Sequence, residues 1–281
     1  MLQTVTSVHE LRAALLKWRE AGETVGLVPT MGALHKGHLT LIEGSRRITK
    51  RTVASIFVNP LQFGPSEDLA KYPRPLAEDQ KLLDGAGCDL LFAPAPADMY
   101  PEGFVIKIDP GPLATILEGA VRPGHFAGVA TVVAKLLLQT MPDCAFFGEK
   151  DYQQLLIIRR VARDLNVPVH IAALPIVRDA DGLAFSSRNA YLTSEQRKQA
   201  AAFPRILSET VSQLAAGGAI DAVLKAGREC LVESGFKCDY LELRDAGTLA
   251  PAHDLTLPAR LLAAVRIGPV RLIDNMAVLG A

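Results

Sequence analysis

The run Val25-Gly26-Leu27-Val28-Pro29-Thr30-Met31-Gly32-Ala33-Leu34-His35-Lys36-Gly37-His38 decides how this chain folds. Val25 to Val28 is a short apolar run, and Leu39-Thr40-Leu41-Ile42 opens an amphipathic segment, so the residues between them are predicted to turn from a parallel strand into a helix. Open α/β sheets bind ligands at such carboxyl-end turns. Two glycines let backbone approach a ligand, and the helix start is expected to offer unpaired N–H groups and a positive dipole end. His35 and His38 stand beside it on one helical face. The combination points to an anion, most simply a nucleotide phosphate.

The alternation of strand and helix signals continues outward. Ser7-Val8-His9-Glu10 has capping-box spacing and starts a first helix that runs to Gly22. Thr52 to Val58 is a second buried strand, stopped by Asn59-Pro60, whose loop through Gln62 lies at the same sheet end as the first turn. A helix from Leu76 to Ala86 and a strand from Asp89 to Ala93 come next. Pro94 to Gly124 is dense in proline and glycine and reads as an insertion with one short strand, Phe104 to Ile108. Helices are expected at Gly128–Met141 and Tyr152–Leu165, and strands at Cys144–Phe147 and Val169–Ile176. The fold class is therefore α/β, a Rossmann-like doubly wound parallel sheet over residues 1–177. Beyond it the pattern changes to one long helix from Thr193, a second helix ending at Gly235, and three alternating strands near Asp239–Arg244, Arg260–Ile267 and Val270–Asn275. Residues 178–281 are expected to form a smaller α+β domain.

Thirty basic residues balance thirty acidic ones in 281, which leaves no bulk attraction to nucleic acid or an anionic membrane and favours a small-molecule partner. Cys88, Cys144, Cys230 and Cys238 are scattered without C-x-x-C spacing, so neither a zinc site nor a disulfide framework is signalled. No apolar run approaches the roughly 18 residues of a membrane span. A cytoplasmic protein is expected.

His35 and His38 admit three readings. As a metal pair they supply only two ligands, with no acidic or cysteine partner nearby in sequence. They can also be structural, capping or facing solvent. The glycine-flanked turn favours the third, in which imidazoles at a helix start stabilise charge growing on a phosphoryl group. Gly148-Glu149-Lys150-Asp151 is a second strand-to-helix turn carrying a fixed cation and two carboxylates, although a plain cap by Asp151 explains it equally well. Ser186-Ser187-Arg188 offers two hydroxyls and a forked guanidinium for terminal phosphates, or is an ordinary loop. Gln62 and Gln154 suit recognition of a hydroxyl or carboxylate.

Taken together, Pro29 to His38, Phe57-Val58-Asn59-Pro60-Leu61-Gln62-Phe63, Tyr72-Pro73-Arg74, Phe147-Gly148-Glu149-Lys150-Asp151-Tyr152-Gln153-Gln154, Ser186-Ser187-Arg188-Asn189-Ala190-Tyr191-Leu192 and Arg271-Leu272-Ile273-Asp274-Asn275 resemble the pantoate–β-alanine ligase (pantothenate synthetase) family along essentially the whole chain. The resemblance extends to nucleotidylyltransferases and class I aminoacyl-tRNA synthetases, through His35, His38 and the loop Ser186 to Arg188. It implies an ATP-dependent condensation of (R)-pantoate with β-alanine to pantothenate through a pantoyl adenylate, releasing pyrophosphate and AMP. It also implies roles. Pro29, Thr30, Met31, Gly32, Ala33, Leu34, His35, Lys36, Gly37 and His38 would line the ATP site, with His38 as proton donor and His35, Lys150 and Arg188 as the other catalytic groups. Gly148 and Asp151 would hold the ribose, with Glu149 beside them, and Lys150 the phosphates. Val177 would border the adenine edge, Phe185 would pack on the nucleotide, and Ser186, Ser187 and Arg188 would hold the pyrophosphate end. Gln62, Gln154 and Asn59 would take pantoate or β-alanine. Mg2+ would ride mainly on the ATP phosphates, and the enzyme would be a homodimer whose carboxyl-terminal domain acts as a lid. Phe185 and Leu61 stand where the family often has methionine, a change of apolar shape only. Glu78-Asp79 reads as a plain helix face rather than a metal approach.

Overall fold

The computed structural model describes residues 2–65 and 69–278. Residues 279–281, inside the expected carboxyl-terminal domain, lie outside the described residues, as do residues 66–68. The chain divides into two units, Met1–Glu149 with Gln153–Pro175, and Lys150–Tyr152 with Ile176–Ala281. The division falls two residues before the expected boundary, and the Lys150 turn groups with the second unit.

In the first unit β1 (Gln3–Val5), α1 (Val8–Glu20), β2 (Val25–Thr30), α2 (Lys36–Ile48), β3 (Arg51–Ile56), α3 (Leu76–Gly85) and β4 (Leu90–Phe92) succeed one another. The insertion carries two single-turn helices, α4 (Pro96–Met99) and α5 (Glu118–Val121). Then come α6 (His125–Thr140), β5 (Cys144–Gly148), α7 (Tyr152–Asp164) and β6 (His170–Leu174). The strands pair in the order β1-β4-β3-β2-β5-β6, every pair parallel. This is the expected doubly wound α/β sheet. Its middle strands are apolar on both faces because helices cover both, so Leu27, Val28, Val53, Ala54, Ala145 and Phe146 are all fully buried. Leu41 and Ile42 of α2 pack on Val28, Ala54 and Phe146. Gly26 permits that seat: a β-carbon there would lie 2.1 Å from Ser45 Oγ.

The strand order reverses between β2 and β5, since β3 and β4 are laid down on one side of β2 and β5 and β6 on the other. Pairing of β2 with β3 runs through to Thr30 and Ile56. Pairing of β2 with β5 involves only Gly26 with Cys144 and Leu27 with Ala145, so the two strands part before their carboxyl ends. Such a switch point is where doubly wound sheets open a ligand crevice.

One element is unannounced and two expectations are corrected. Gln3–Val5 forms an edge strand against β4 that three residues of sequence could not announce. Phe104 to Ile108 forms no strand: Val105 and Ile106 are 77% and 73% exposed, and the Ile108 amide donates to Thr131 Oγ1 at 3.0 Å instead of to a ladder. β-branched residues favour a strand only where a sheet edge receives them. In the second unit the long helix from Thr193 is two, α8 (Ser194–Ala200) and α9 (Ala202–Ala215), because Pro204 lacks the N–H that would continue the ladder across the join.

The rest of the second unit is α10 (Ile220–Glu233) and three strands, β7 (Lys237–Asp245), β8 (Ala259–Ile267) and β9 (Val270–Val278), in an antiparallel meander. α9 and α10 bury Phe203, Leu207, Leu224 and Leu231 against Leu241, Leu261 and Leu272. No helix among the described residues is long and apolar enough to cross a membrane.

Candidate active site

The turn after β2 is held partly by its own residues and partly by β3 and α3. Thr30 Oγ1 donates to the Ser55 carbonyl (2.7 Å) and accepts from the Gly32 amide (3.2 Å). The Ala33 and Leu34 amides donate to Asp79 Oδ2 and Oδ1 at 2.9 and 2.8 Å. His35 is the N-cap of α2, and its Nδ1 accepts from the Gly37 amide at 3.2 Å. His38 returns the bond, Nδ1 accepting from the His35 amide at 3.3 Å. The His38 and Leu39 amides donate to the His35 carbonyl. The expectation of unpaired amides is thereby corrected: from Gly32 to Leu39, only the Lys36 amide lacks a protein acceptor among the described residues. Because both Nδ1 atoms accept from backbone N–H groups, both rings carry their proton on Nε2. The imidazoles lie 4.0 Å apart between centroids. The turn thus brings together two imidazoles tied to the backbone through Nδ1, where the sequence suggested a cradle of unpaired amides.

Asp79 comes from α3 and is 1% exposed. Burial raises its carboxyl above the ordinary range, against which the two amide bonds act. The reading of Glu78-Asp79 as a plain helix face fails for Asp79.

Gln62 sits in a second built corner, in the loop after β3. Asn59 Nδ2 donates to Gln62 Oε1 (3.0 Å) and to the Gly128 carbonyl (3.1 Å). Asn59 Oδ1 accepts from Tyr100 Oη (2.7 Å) and the Leu61 amide (3.2 Å). The Asn59 amide group is therefore engaged with protein on every side. It fixes which way the Gln62 amide faces, leaving Nε2 to donate to Met31 Sδ at 3.1 Å, which joins this loop to the first turn. His125 Nδ1 donates to the Gln62 carbonyl at 2.8 Å, and Arg122 Nη1 donates to His125 Nε2 at 3.1 Å, so Arg122 sets the tautomer that holds Gln62. Nothing in the sequence around the end of the Pro- and Gly-rich insertion singles out Arg122, or His125 at the start of α6.

On the other side of the switch point, Gly148 ends β5, and a β-carbon there would meet open space. Gln154 is half-buried on α7, and no hydrogen bond among the described residues joins it to Gln62. Its neighbour Gln153 is structural, with Nε2 donating to the Leu113 and Ile116 carbonyls and Oε1 accepting from the Glu118 amide.

The second unit gathers the remaining expected residues. Lys150 Nζ lies 3.8 Å from Asp151 Oδ2, and Glu149 precedes them in a single 3-10 turn. Asn275 Nδ2 donates to the Lys150 carbonyl at 2.9 Å, Arg260 Nε donates to Asn275 Oδ1 at 2.5 Å, and the Arg260 guanidinium lies 3.9 Å above the Tyr152 ring. Arg178 forks onto both oxygens of buried Asp274 at 2.6 and 2.9 Å. The carboxyl-terminal string Arg271 to Asn275 thus anchors the turn that bears Lys150. Val177 and Phe185 are brought together by a short antiparallel bridge, the Phe185 amide donating to the Val177 carbonyl at 3.0 Å. Ser186 Oγ accepts from the Arg188 amide at 3.3 Å and caps the 3-10 turn of Ser187–Tyr191.

A parallel sheet with a switch point between β2 and β5, and histidine-, glutamine- and glycine-bearing turns around it, places the protein in the doubly wound α/β class that binds ligands at its strand ends. Within that class the chain belongs to the Pantoate-beta-alanine ligase family, which it matches over residues 3–277. Pantothenate synthetase of Paramagnetospirillum magneticum is 54% identical over 98% of this chain and 97% of its own. The crystal structure of pantothenate synthetase from Thermus thermophilus superposes with a TM-score of 0.93 at 52% identity, covering 99% of each chain. That of the pantoate-beta-alanine ligase from Francisella tularensis, described as complexed with beta-gamma ATP and beta-alanine, superposes at 0.83 with 34% identity over 98% of this chain and 97% of that one. The resemblance carried by the sequence motifs is confirmed.

Proposed function

We propose that this chain condenses (R)-pantoate with β-alanine to give pantothenate, using ATP. In the first half-reaction a pantoate carboxylate oxygen attacks the α-phosphorus, the bond to the β-phosphate oxygen breaks, and pyrophosphate leaves. In the second, the β-alanine amine attacks the acyl carbon, its C–O bond to AMP breaks, and the amine loses a proton. Both steps bring like charges or weak nucleophiles together, so orientation and matched positive charge matter more than a protein nucleophile. His35 and His38 would donate their Nε2 protons to phosphate oxygens as charge develops, with Lys150 and Arg188 as fixed cations. Gly148, Glu149 and Asp151 would take the ribose side, Val177 and Phe185 the adenine, and Ser186, Ser187 and Arg188 the departing pyrophosphate. Gln62 and Gln154 would hold pantoate, with Asn59 acting through Gln62, since its own amide is already engaged.

The observation that carries this reading is the paired histidine turn at the parting of β2 and β5, in a member of this ligase family. Mg2+ would ride on the ATP phosphates, bringing charge neutralisation; among the described residues no group of three or more His, Cys, Asp or Glu side chains is placed to hold a cation by itself. The carboxyl-terminal domain would serve as a lid that delivers Ser186 to Arg188. A homodimer is supported by exposed Val105 and Ile106, apolar residues suited to a second copy of the chain. Four free cysteines accord with a reducing cytoplasm.

The test is exchange of labelled pyrophosphate into ATP with Mg2+ present. Exchange that requires pantoate supports the ligase. Exchange that ignores pantoate and requires a phosphomonoester would assign the chain to nucleotidyl transfer instead, and no exchange or turnover would leave a non-catalytic binding protein.

A further inference from the structure

We propose that Asp79 is a positioning residue for the imidazole pair, an internal anion that clamps the turn between β2 and α2 so that His35 and His38 meet the nucleotide in one fixed arrangement. The inference rests on the ligase reading above. Each carboxylate oxygen takes one amide, Oδ2 that of Ala33 and Oδ1 that of Leu34, a forked contact that leaves the turn little rotational freedom. The clamped residues are not relaxed without it. Ala33 has φ +50°, a left-handed conformation unfavourable to any residue with a β-carbon. Gly32 before it has φ +82°, and a β-carbon at Gly32 would lie 2.9 Å from Asp79 Oδ2 and 3.1 Å from Ile56 Cγ2. Gly32 is thus wedged between Ile56 of β3 and the Asp79 carboxylate, and Ala33, also at positive φ, follows it onto the same carboxylate.

The residues after Leu34 inherit its position. His35 is the cap of α2, and its ring, its amide and its carbonyl are tied to Gly37, to His38 and to the His38 and Leu39 amides. A displaced Leu34 therefore carries both imidazoles with it. A carboxylate kept only for solubility would face water, whereas this one is buried and has both oxygens committed to the turn.

Asp79→Asn keeps the shape but turns one acceptor into a donor that faces an amide N–H. Displacement of reacting groups by an ångström costs about 10²-fold, so the kcat of pantoate-dependent pyrophosphate exchange is expected to fall by about that factor while the KM for pantoate stays near wild type. Hydrogen exchange at the Ala33 and Leu34 amides is expected to accelerate, with β2 and β3 protection unchanged. Adding Ala33→Gly, which makes the left-handed turn accessible without its clamp, should restore part of the lost kcat. Where Asp79→Asn is unfolded by circular dichroism, Asp79→Glu is read in the same two assays with the same expected split. Wild-type kcat in a folded variant, or lost kcat with unchanged exchange at those two amides, would overturn the proposal. If wild-type protein shows no pantoate-dependent exchange, the ligase reading fails by itself, and the amide measurement still decides whether Asp79 clamps the turn.

Discussion

Gly128 offers a sharp test of how the Asn59–Gln62 corner, the proposed pantoate grip, is built. It lies on α6 where the helix passes the Asn59–Gln62 loop, and a β-carbon there would stand 2.2 Å from the Leu61 carbonyl oxygen, 2.4 Å from its carbon and 2.6 Å from the Gln62 amide nitrogen. Ordinary contact begins near 3.4 Å, so Gly128→Ala demands a shift of about 1.2 Å by backbone, which cannot rotate away as a side chain would. The same shift pulls the Gly128 carbonyl from Asn59 Nδ2, the group that aims the Gln62 amide. Two effects on stability oppose each other: overpacking costs about 1–3 kcal/mol, and replacing glycine by alanine inside a helix returns about 1 kcal/mol. The net loss is then about 0–2 kcal/mol, which a protein of this size survives. Activity has no such offset. A substrate grip displaced by about 1 Å predicts a fall of about 10²-fold in kcat/KM for pantoate, or ~2.7 kcal/mol of transition-state stabilisation. The assay is pantoate-dependent pyrophosphate exchange with pantoate and ATP varied separately, beside a melting curve. A folded Gly128→Ala protein with wild-type kcat/KM for pantoate would refute the claim that α6 positions this loop; an equal loss for both substrates would show that the change is not confined to it.

Other outcomes derive from the same geometry. His38→Ala is expected to lower adenylate formation about 10²-fold with folding intact, and His38→Asn, which keeps an acceptor for the His35 amide but has no Nε2 proton, should be equally slow; full activity in His38→Asn would remove the Nε2 donor from the mechanism. Asn275→Ala removes the bond to the Lys150 carbonyl, and losing about one hydrogen bond's worth of orientation should raise the KM for ATP about tenfold; an unchanged KM would detach the carboxyl-terminal string from Lys150. Burial pushes the Cys88 thiol to about 12, so native protein treated with iodoacetamide near neutral pH should carry label on exposed Cys230 and not on Cys88, as peptide mass spectrometry would read. The linkage has a definite sign. A folded value above the ordinary 9.0 means that the stability held by this thiol is complete below 9.0 and is lost as the pH climbs toward about 12, so Cys88→Ala should flatten the alkaline end of the melting profile.

The sheet is legible in the sequence because buried parallel strands advertise themselves as apolar runs, and because the turn after β2 combines glycines with a helix start. The residues of that turn are also legible by type, while their wiring is not. Sequence alone assigns the phosphate contact partly to unpaired backbone, since nothing local to Pro29–His38 reveals an anion arriving from 46 residues away on α3. Asp79 has the sequence appearance of any acid on a helix face, and only its burial distinguishes it. Asn275 and Lys150 lie 125 residues apart, so the bond that explains the Arg271–Asn275 string has no local signal either. Phe104 to Ile108 fails for the opposite reason: its composition favours a strand, but it pairs with no sheet edge.

These long-range contacts change what the histidine turn is. A glycine-rich phosphate loop works through main-chain N–H groups, so its side chains can vary as long as the backbone keeps its path. Here Asp79, Thr30 and the two imidazoles themselves occupy those groups, which ties the turn down and, on the proposed reading, moves the phosphate contact to the Nε2 atoms of His35 and His38. Rigidity and chemistry therefore come from the same residues, since each ring that would face a phosphate with Nε2 is also, through Nδ1, part of the cap that holds it. Replacing either histidine removes a donor and loosens its partner in one step. The two should then be strongly non-additive: a double His35→Ala, His38→Ala variant should be little slower than the worse single one, because the first substitution has already disordered what the second would remove.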